Sequence, residues 1–197
     1  MSAGYDGPPL DQRRLLSALH RHHVDYLVIG GVAAQAHGAQ RATQDLDCVP
    51  DTSTDNLARL AGALRELHTR LRVGGMLDEE ARSLPLQLDA QSLAANTVWT
   101  FTTDAGPVDI LQGLPDASGR RQSYAELLPR SEARAYRGVT VRVAALSDII
   151  DSKQWANRPK DHQVLPELIA LQHPTKGRPS TGPPPLPHRP RDIDYDR

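Results

Sequence analysis

The sequence predicts an α+β fold: a mixed β-sheet flanked by helices, followed by C-terminal helices and a disordered proline-rich tail. Three observations carry that expectation. Short β-type runs, such as residues 24–29 and 97–102, alternate with segments whose leucines and alanines recur at helical spacing. Two pairs of such runs are joined by glycine-containing turns, at Asp104-Ala105-Gly106 and Arg137-Gly138, as hairpins require. Seven of the last 24 residues are proline and few are apolar. A stretch of that kind buries too little surface to offset its ordering entropy.

The elements follow in order. Residues 1–9 are rich in Gly and Pro and read as a flexible N-terminus. Leu10, Leu15, Leu16 and Leu19 mark an amphipathic helix that ends at His20-Arg21-His22-His23. Consecutive histidines at a helix end point in different directions, so this run fits a polar last turn better than a metal site. Residues 24–29 form a buried strand that stops at Gly30-Gly31, and the small-residue segment 32–38 follows as a short helix ended by Gly38. Residues 45–49 form the next strand, closed by Pro50-Asp51. Ser53 or Thr54 caps a longer helix with Leu57, Leu60, Ala61, Leu64, Leu67 and Leu71 at helical spacing. Residues 72–95, with Gly74-Gly75 and Asp78-Glu79-Glu80, read as loops and a short helix. Residues 97–102 and 107–111 make one hairpin, 132–136 and 139–143 a second, and helices follow over about 147–155 and 160–171. The chain thus divides into an N-terminus (1–9), a core (10–145), a C-terminal helical region (146–172) and a tail (173–197).

Bulk properties exclude several classes. A chain of 197 residues with a formal net charge of −1 has no global pull toward nucleic acid or membrane. Only 4% of residues are aromatic, too few to suggest a stacking platform for single-stranded nucleic acid. The single cysteine, Cys48, excludes an intrachain disulfide and a cysteine zinc cluster, which fits a reducing compartment. There is no apolar leader segment and no window near the ~18 apolar residues of a membrane-spanning helix, so a cytoplasmic protein is expected.

The chemistry concentrates around Asp45 and Asp47 in Thr43-Gln44-Asp45-Leu46-Asp47-Cys48-Val49. Side chains at i and i+2 of a strand share a face, so the two carboxylates converge and repel unless a cation sits between them. A hard divalent ion such as Mg²⁺ suits them, since it takes a few carboxylate oxygens and leaves its other positions to water and phosphate. Taken alone, the pair fits a polar strand end leading into a turn better than a metal site. Three further features bear on the choice. Gly30-Gly31, 15 residues before Asp45, opens a helix and presents free amides to an anion. Asp109 interrupts the apolar run Pro107-Val108-Asp109-Ile110-Leu111, where an unpaired charge is costly to bury. Lys153, Arg158 and Lys160 form a basic group at a helix junction, with Pro159 and Asp161 placed to open the second helix.

Together these residues resemble the nucleotidyltransferase superfamily of the polymerase-β type. Its pattern is a glycine pair opening a helix, Asp-x-Asp/Glu on the next strand and a third acidic residue on a later strand. Here those are Gly30-Gly31, Asp45-x-Asp47 and Asp109. The segment from Gly30 through Arg41-x-Thr43-x-Asp45-Leu-Asp47 is similar to a small bacterial group. That group includes the AbiEii-type toxin-like proteins, the minimal nucleotidyltransferases and some aminoglycoside nucleotidyltransferases. Leu146-Ser-Asp148-Ile-Ile-x-x-Lys153 and Arg158-Pro-Lys160-Asp161 resemble the helical region after the catalytic core of these relatives.

The resemblance implies an enzyme of nucleotidyltransferase type whose fold is that family's mixed sheet. It implies transfer of an NMP from an NTP, ATP among them, to an RNA such as tRNA, a protein or a small molecule, with a toxin–antitoxin partner in view. Asp45, Asp47 and Asp109 are the implied catalytic residues and ligands of two Mg²⁺ ions. Gly30, Gly31, Arg41, Thr43, Lys153, Arg158 and Lys160 are implied to bind nucleotide. The relatives often carry Gly-Ser at the turn, and Gly30-Gly31 leaves that phosphate contact to backbone amides. His37 reads as a helix-end hydrogen bonder. A non-catalytic antitoxin or regulatory protein retaining the fold is the competing reading.

Overall fold

The computed structural model describes residues 5–173; the expectations for residues 1–4 and for the proline-rich tail from residue 174 lie outside them. Helix α1 (Gln12–Arg21) is capped by Asp11, whose carboxylate accepts from the Arg14 amide at 3.0 Å, and it buries Leu15, Leu16, Ala18 and Leu19. The expected polar end is present, with His23 in the left-handed region at φ 52° and His22 bonded to Glu66 at 2.8 Å. Strand β1 (Tyr26–Ile29) then runs through the centre of the sheet and passes directly into α2 (Gly30–Ala36). Strand β2 (Leu46–Pro50) pairs antiparallel with β1, and α3 (Thr54–Glu66) follows it. Asn56 of α3 is fully buried and staples the two strands. Its Oδ1 accepts from the Asp25 amide at 2.8 Å, while its Nδ2 donates to the Asp25 and Asp51 carbonyls at 2.9 and 2.8 Å.

Leu71 departs from expectation. The leucine periodicity predicts a helix reaching it, but α3 ends at Glu66 because His68 turns left-handed at φ 49°. Leu71 belongs instead to a two-residue edge strand, β3 (Arg70–Leu71), paired with Thr102 and Phe101. Two short helices, α4 (Asp78–Ala81) and α5 (Ala90–Ala94), occupy the ambiguous segment. The first hairpin is β4 (Val98–Thr103) with β5 (Gly106–Leu111). Unanticipated structure follows: a minor hairpin of β6 (Leu114–Pro115) and β7 (Arg121–Gln122), then α6 (Tyr124–Leu127) and a 3-10 turn at Leu128–Arg130. The second expected hairpin is β8 (Glu132–Tyr136) with β9 (Val139–Val143), and the chain closes with α7 (Leu146–Ala156) and α8 (Pro159–Gln172).

The seven-stranded sheet has the order β3-β4-β5-β2-β1-β9-β8. It is mixed, because β2 runs parallel to β5 and β1 parallel to β9 while the remaining pairs are antiparallel. Helix α3 contacts α1 and α5 in one group, and α7 contacts α2 and α8 in another. With one Phe in the chain, the core is aliphatic: Leu15, Leu16, Leu27, Leu46, Leu60, Leu64 and Leu168 are fully buried, as is Phe101. No helix among the described residues is long and apolar enough to cross a membrane.

Candidate active site

The sheet register builds an acidic row. Asp47 of β2 lies directly beside Asp109 of β5, and Asp109 directly opposite Thr100 of β4. Paired residues on neighbouring strands share a face, so these side chains project together. Asp45, just before β2, projects with Asp47, while Leu46 and Cys48 are fully buried on the other side. One carboxylate oxygen from each of Asp45, Asp47 and Asp109 lies within 4.8 Å of the other two, the one such acidic, His or Cys group among the described residues. The crowding has an electrostatic consequence. Burial first, then the charges of Asp45 and Asp109, pushes the Asp47 carboxyl up to about 7. Burial also raises Asp109, against the opposing pull of Arg72. All three donors are carboxylates, with no thiolate or imidazole among them, and that set fits a hard divalent cation.

The two glycines have a structural reason of their own. Ile29 pairs with Asp47, so Gly30 turns away from β1 beside that carboxylate. It does so at φ 63°, and a methyl group built on it would run into Asp47 Oδ2. A methyl on Gly31 would run into the Thr43 hydroxyl. Thr43 in turn donates through Oγ1 to the Asp45 carbonyl and carboxylate, each at 3.3 Å.

A basic wall faces the row across a cavity of 780 Å³ lined by Gly30, Gly31, Arg41, Thr43, Asp45, Asp47, Asp109, Lys153, Arg158 and Lys160. Every residue expected at the site therefore lines one cleft. The cations Lys153 and Lys160 act on Asp47 across it, and Arg158 feels Asp47 and Asp45. The wall is held by Asp161, which is fully buried and accepts from Lys153 Nζ at 3.2 Å and Arg158 Nε at 2.7 Å. Arg41 is oriented by Gln163, donating to its Oε1 at 2.6 Å, and pairs with no acidic ligand. His37 bonds the Ala144 carbonyl at 2.8 Å, the helix-end role expected of it.

Two residues that bear on the site escaped sequence reasoning. Arg72 pairs with Asp109, so the charge in the apolar strand has a guanidinium partner. It sits one step past β3, its amide bonded to the Thr100 carbonyl, and only the sheet register brings it to Asp109. Trp155 of α7 lines the same cleft and is half exposed.

No protein-family model and no curated protein matches the chain. Solved structures do. The lincosamide antibiotic adenylyltransferase LnuA, lincomycin-bound, aligns with TM-score 0.51 at 12% identity over 83% of this chain and 99% of that one. ANT(2″)-Ia in complex with adenylyl-2″-tobramycin aligns with TM-score 0.51 at 18% identity, covering 81% and 85%. The solution structure of ANT(2″)-Ia, an antibiotic-resistance factor, gives 0.50 at 17%, covering 81% and 80%. The chain has the fold of these proteins, as the resemblance to the nucleotidyltransferase superfamily implied.

Proposed function

We propose that the chain is a nucleotidyltransferase that moves an NMP from an NTP to the hydroxyl of an RNA, protein or small-molecule acceptor. The single observation that carries this reading is the convergence of Asp45, Asp47 and Asp109 within 4.8 Å, facing the cations of α7 and α8 across one cleft. In that cleft Lys153, Arg158 and Lys160 neutralise the triphosphate, and Arg41 and Thr43 steady its approach beside Gly30 and Gly31. The acceptor oxygen bonds to the α-phosphorus as the bond to pyrophosphate breaks. The hydroxyl proton passes to Asp109. Two Mg²⁺ ions held by Asp45, Asp47 and Asp109 would supply charge neutralisation and a more acidic acceptor hydroxyl when bound.

Incubation with each labelled NTP and Mg²⁺, with and without cell extract, tests this. Wild type is expected to transfer label, and Asp45→Ala/Asp47→Ala to lose at least a thousandfold, the scale of removing a preorganised electrostatic site. No transfer with any NTP would leave a binding protein that retains the fold. The AbiEii-type likeness, carried by the segment from Gly30 to Asp47, supports a toxin role for the same activity. Growth arrest on expression, relieved in the double variant and by a cognate antitoxin, is the outcome that role requires.

A further inference from the structure

The cleft has an apolar end that the chemistry described so far does not use. Beyond Asp109 on the same face of β5 comes Leu111, paired with Val98 of β4, and the wall continues through Leu114, Pro115 and Trp155, with Arg121 as the one charged lining group. Val98 is 41% and Trp155 50% exposed, so two large apolar side chains face open space beside a charged site. Isolated exposed apolar residues are ordinary; a pair bordering one cleft marks a binding surface.

Trp155 is also seated. The β6–β7 turn brings Gly119 against its indole so closely that a methyl there would collide with Nε1 and Cε2. Gly119 adopts φ 88°, and the turn is braced by Asp116, whose Oδ1 accepts from the Ser118 amide at 2.9 Å and the Arg120 amide at 3.0 Å. Helix α7, which carries Trp155, packs on β6. The indole is thus held from one side while half its surface stays open.

We propose that Trp155, with Val98, Leu111, Leu114 and Pro115, is the subsite for the nucleobase of the donor nucleotide; this rests on the nucleotidyltransferase reading. The cleft is polarised along its length. It has a cationic wall, an acidic floor and a flat-sided, mainly apolar end where Arg121 is the one charged lining group. A nucleoside triphosphate is polarised in the same order, from its phosphates through the reacting α-phosphorus to an uncharged ring. Trp155 lies two residues after Lys153, on the helix that carries one cation of the phosphate wall. The apolar and aromatic lining makes stacking the main mode of recognition at this end. It tolerates any base and favours purines, which offer more ring area.

Calorimetry with an α,β-methylene NTP and with inorganic tripolyphosphate, both with Mg²⁺, tests the assignment. Trp155→Ala should weaken the nucleotide about tenfold or more while leaving tripolyphosphate unchanged, and Trp155→Phe should restore most of the affinity. Trp99 is stacked on Phe101, so in a Trp99→Phe background Trp155 emission should be quenched by the nucleotide and not by tripolyphosphate. Unchanged nucleotide affinity in Trp155→Ala, or equal weakening of both ligands, would overturn the subsite and leave the enzyme reading standing. Failure of wild type to bind either ligand would remove that reading, and the subsite with it.

Discussion

A single methyl group at position 30 would occupy the place of the Asp47 carboxylate. Gly30 therefore answers two demands at once, a left-handed turn out of β1 and room for an acidic side chain on the neighbouring strand. Gly30→Ala is expected to destabilise the fold by about 2–4 kcal/mol in urea unfolding, combining backbone strain with overpacking. It should also displace Asp47 and abolish label transfer. Wild-type transfer by this variant would show that Asp47 can move without consequence and would count against its place in the site. Arg72 shows the complementary constraint. A carboxylate as buried as Asp109 needs a partner, and the guanidinium beside it holds its carboxyl below the level that burial alone would set.

At the scale of elements, the corner between α7 and α8 carries the basic wall, and Asp161 holds that corner together. Helix α7 ends with Asn157 left-handed at φ 49°, Arg158 is extended, and Pro159 opens α8 where a missing amide costs nothing. Asp161→Ala removes the shared acceptor of Lys153 and Arg158. Arg158 can turn to solvent but Lys153 is largely enclosed, so a loss of about 2–4 kcal/mol is expected, below the cost of a wholly buried pair. Nucleotide affinity should fall with it as the two cations lose their aim, and unchanged unfolding would show that packing alone holds the corner. The corner was readable in advance, because Pro159 and Asp161 are local helix-start signals. The strand-to-helix turn at Gly30 and both main hairpins were readable for the same reason. Leu71 was misread because a helical period continues through a helix stop that only the backbone angle of His68 reveals. Arg72 and Trp155 were invisible because nothing in their own neighbourhoods marks them. One reaches Asp109 through strand register and the other meets Gly119 through the packing of α7 on β6.

For the whole molecule, the acidic row is a charge stored at the cost of stability, and its sign sets how the protein responds to pH. In protein free of divalent cations, folded Asp47 keeps its proton to about pH 7, whereas the unfolded chain releases it near 3.8. Between those limits the folded state binds more protons than the unfolded one, so stability falls as pH rises. A cation that binds only the folded state reverses the loss, contributing about 2.7 kcal/mol at a concentration a hundredfold above its dissociation constant. Because cation and proton compete for the same oxygens, the gain from Mg²⁺ should be small at pH 5 and largest at pH 8. Asp47→Asn removes the titrating group. In urea unfolding with EDTA it should be more stable than wild type at pH 8 and show a flatter pH profile, and it should gain much less from Mg²⁺. A Mg²⁺ gain of the same size in Asp47→Asn as in wild type would place the cation elsewhere on the molecule and break the link between the acidic row and metal.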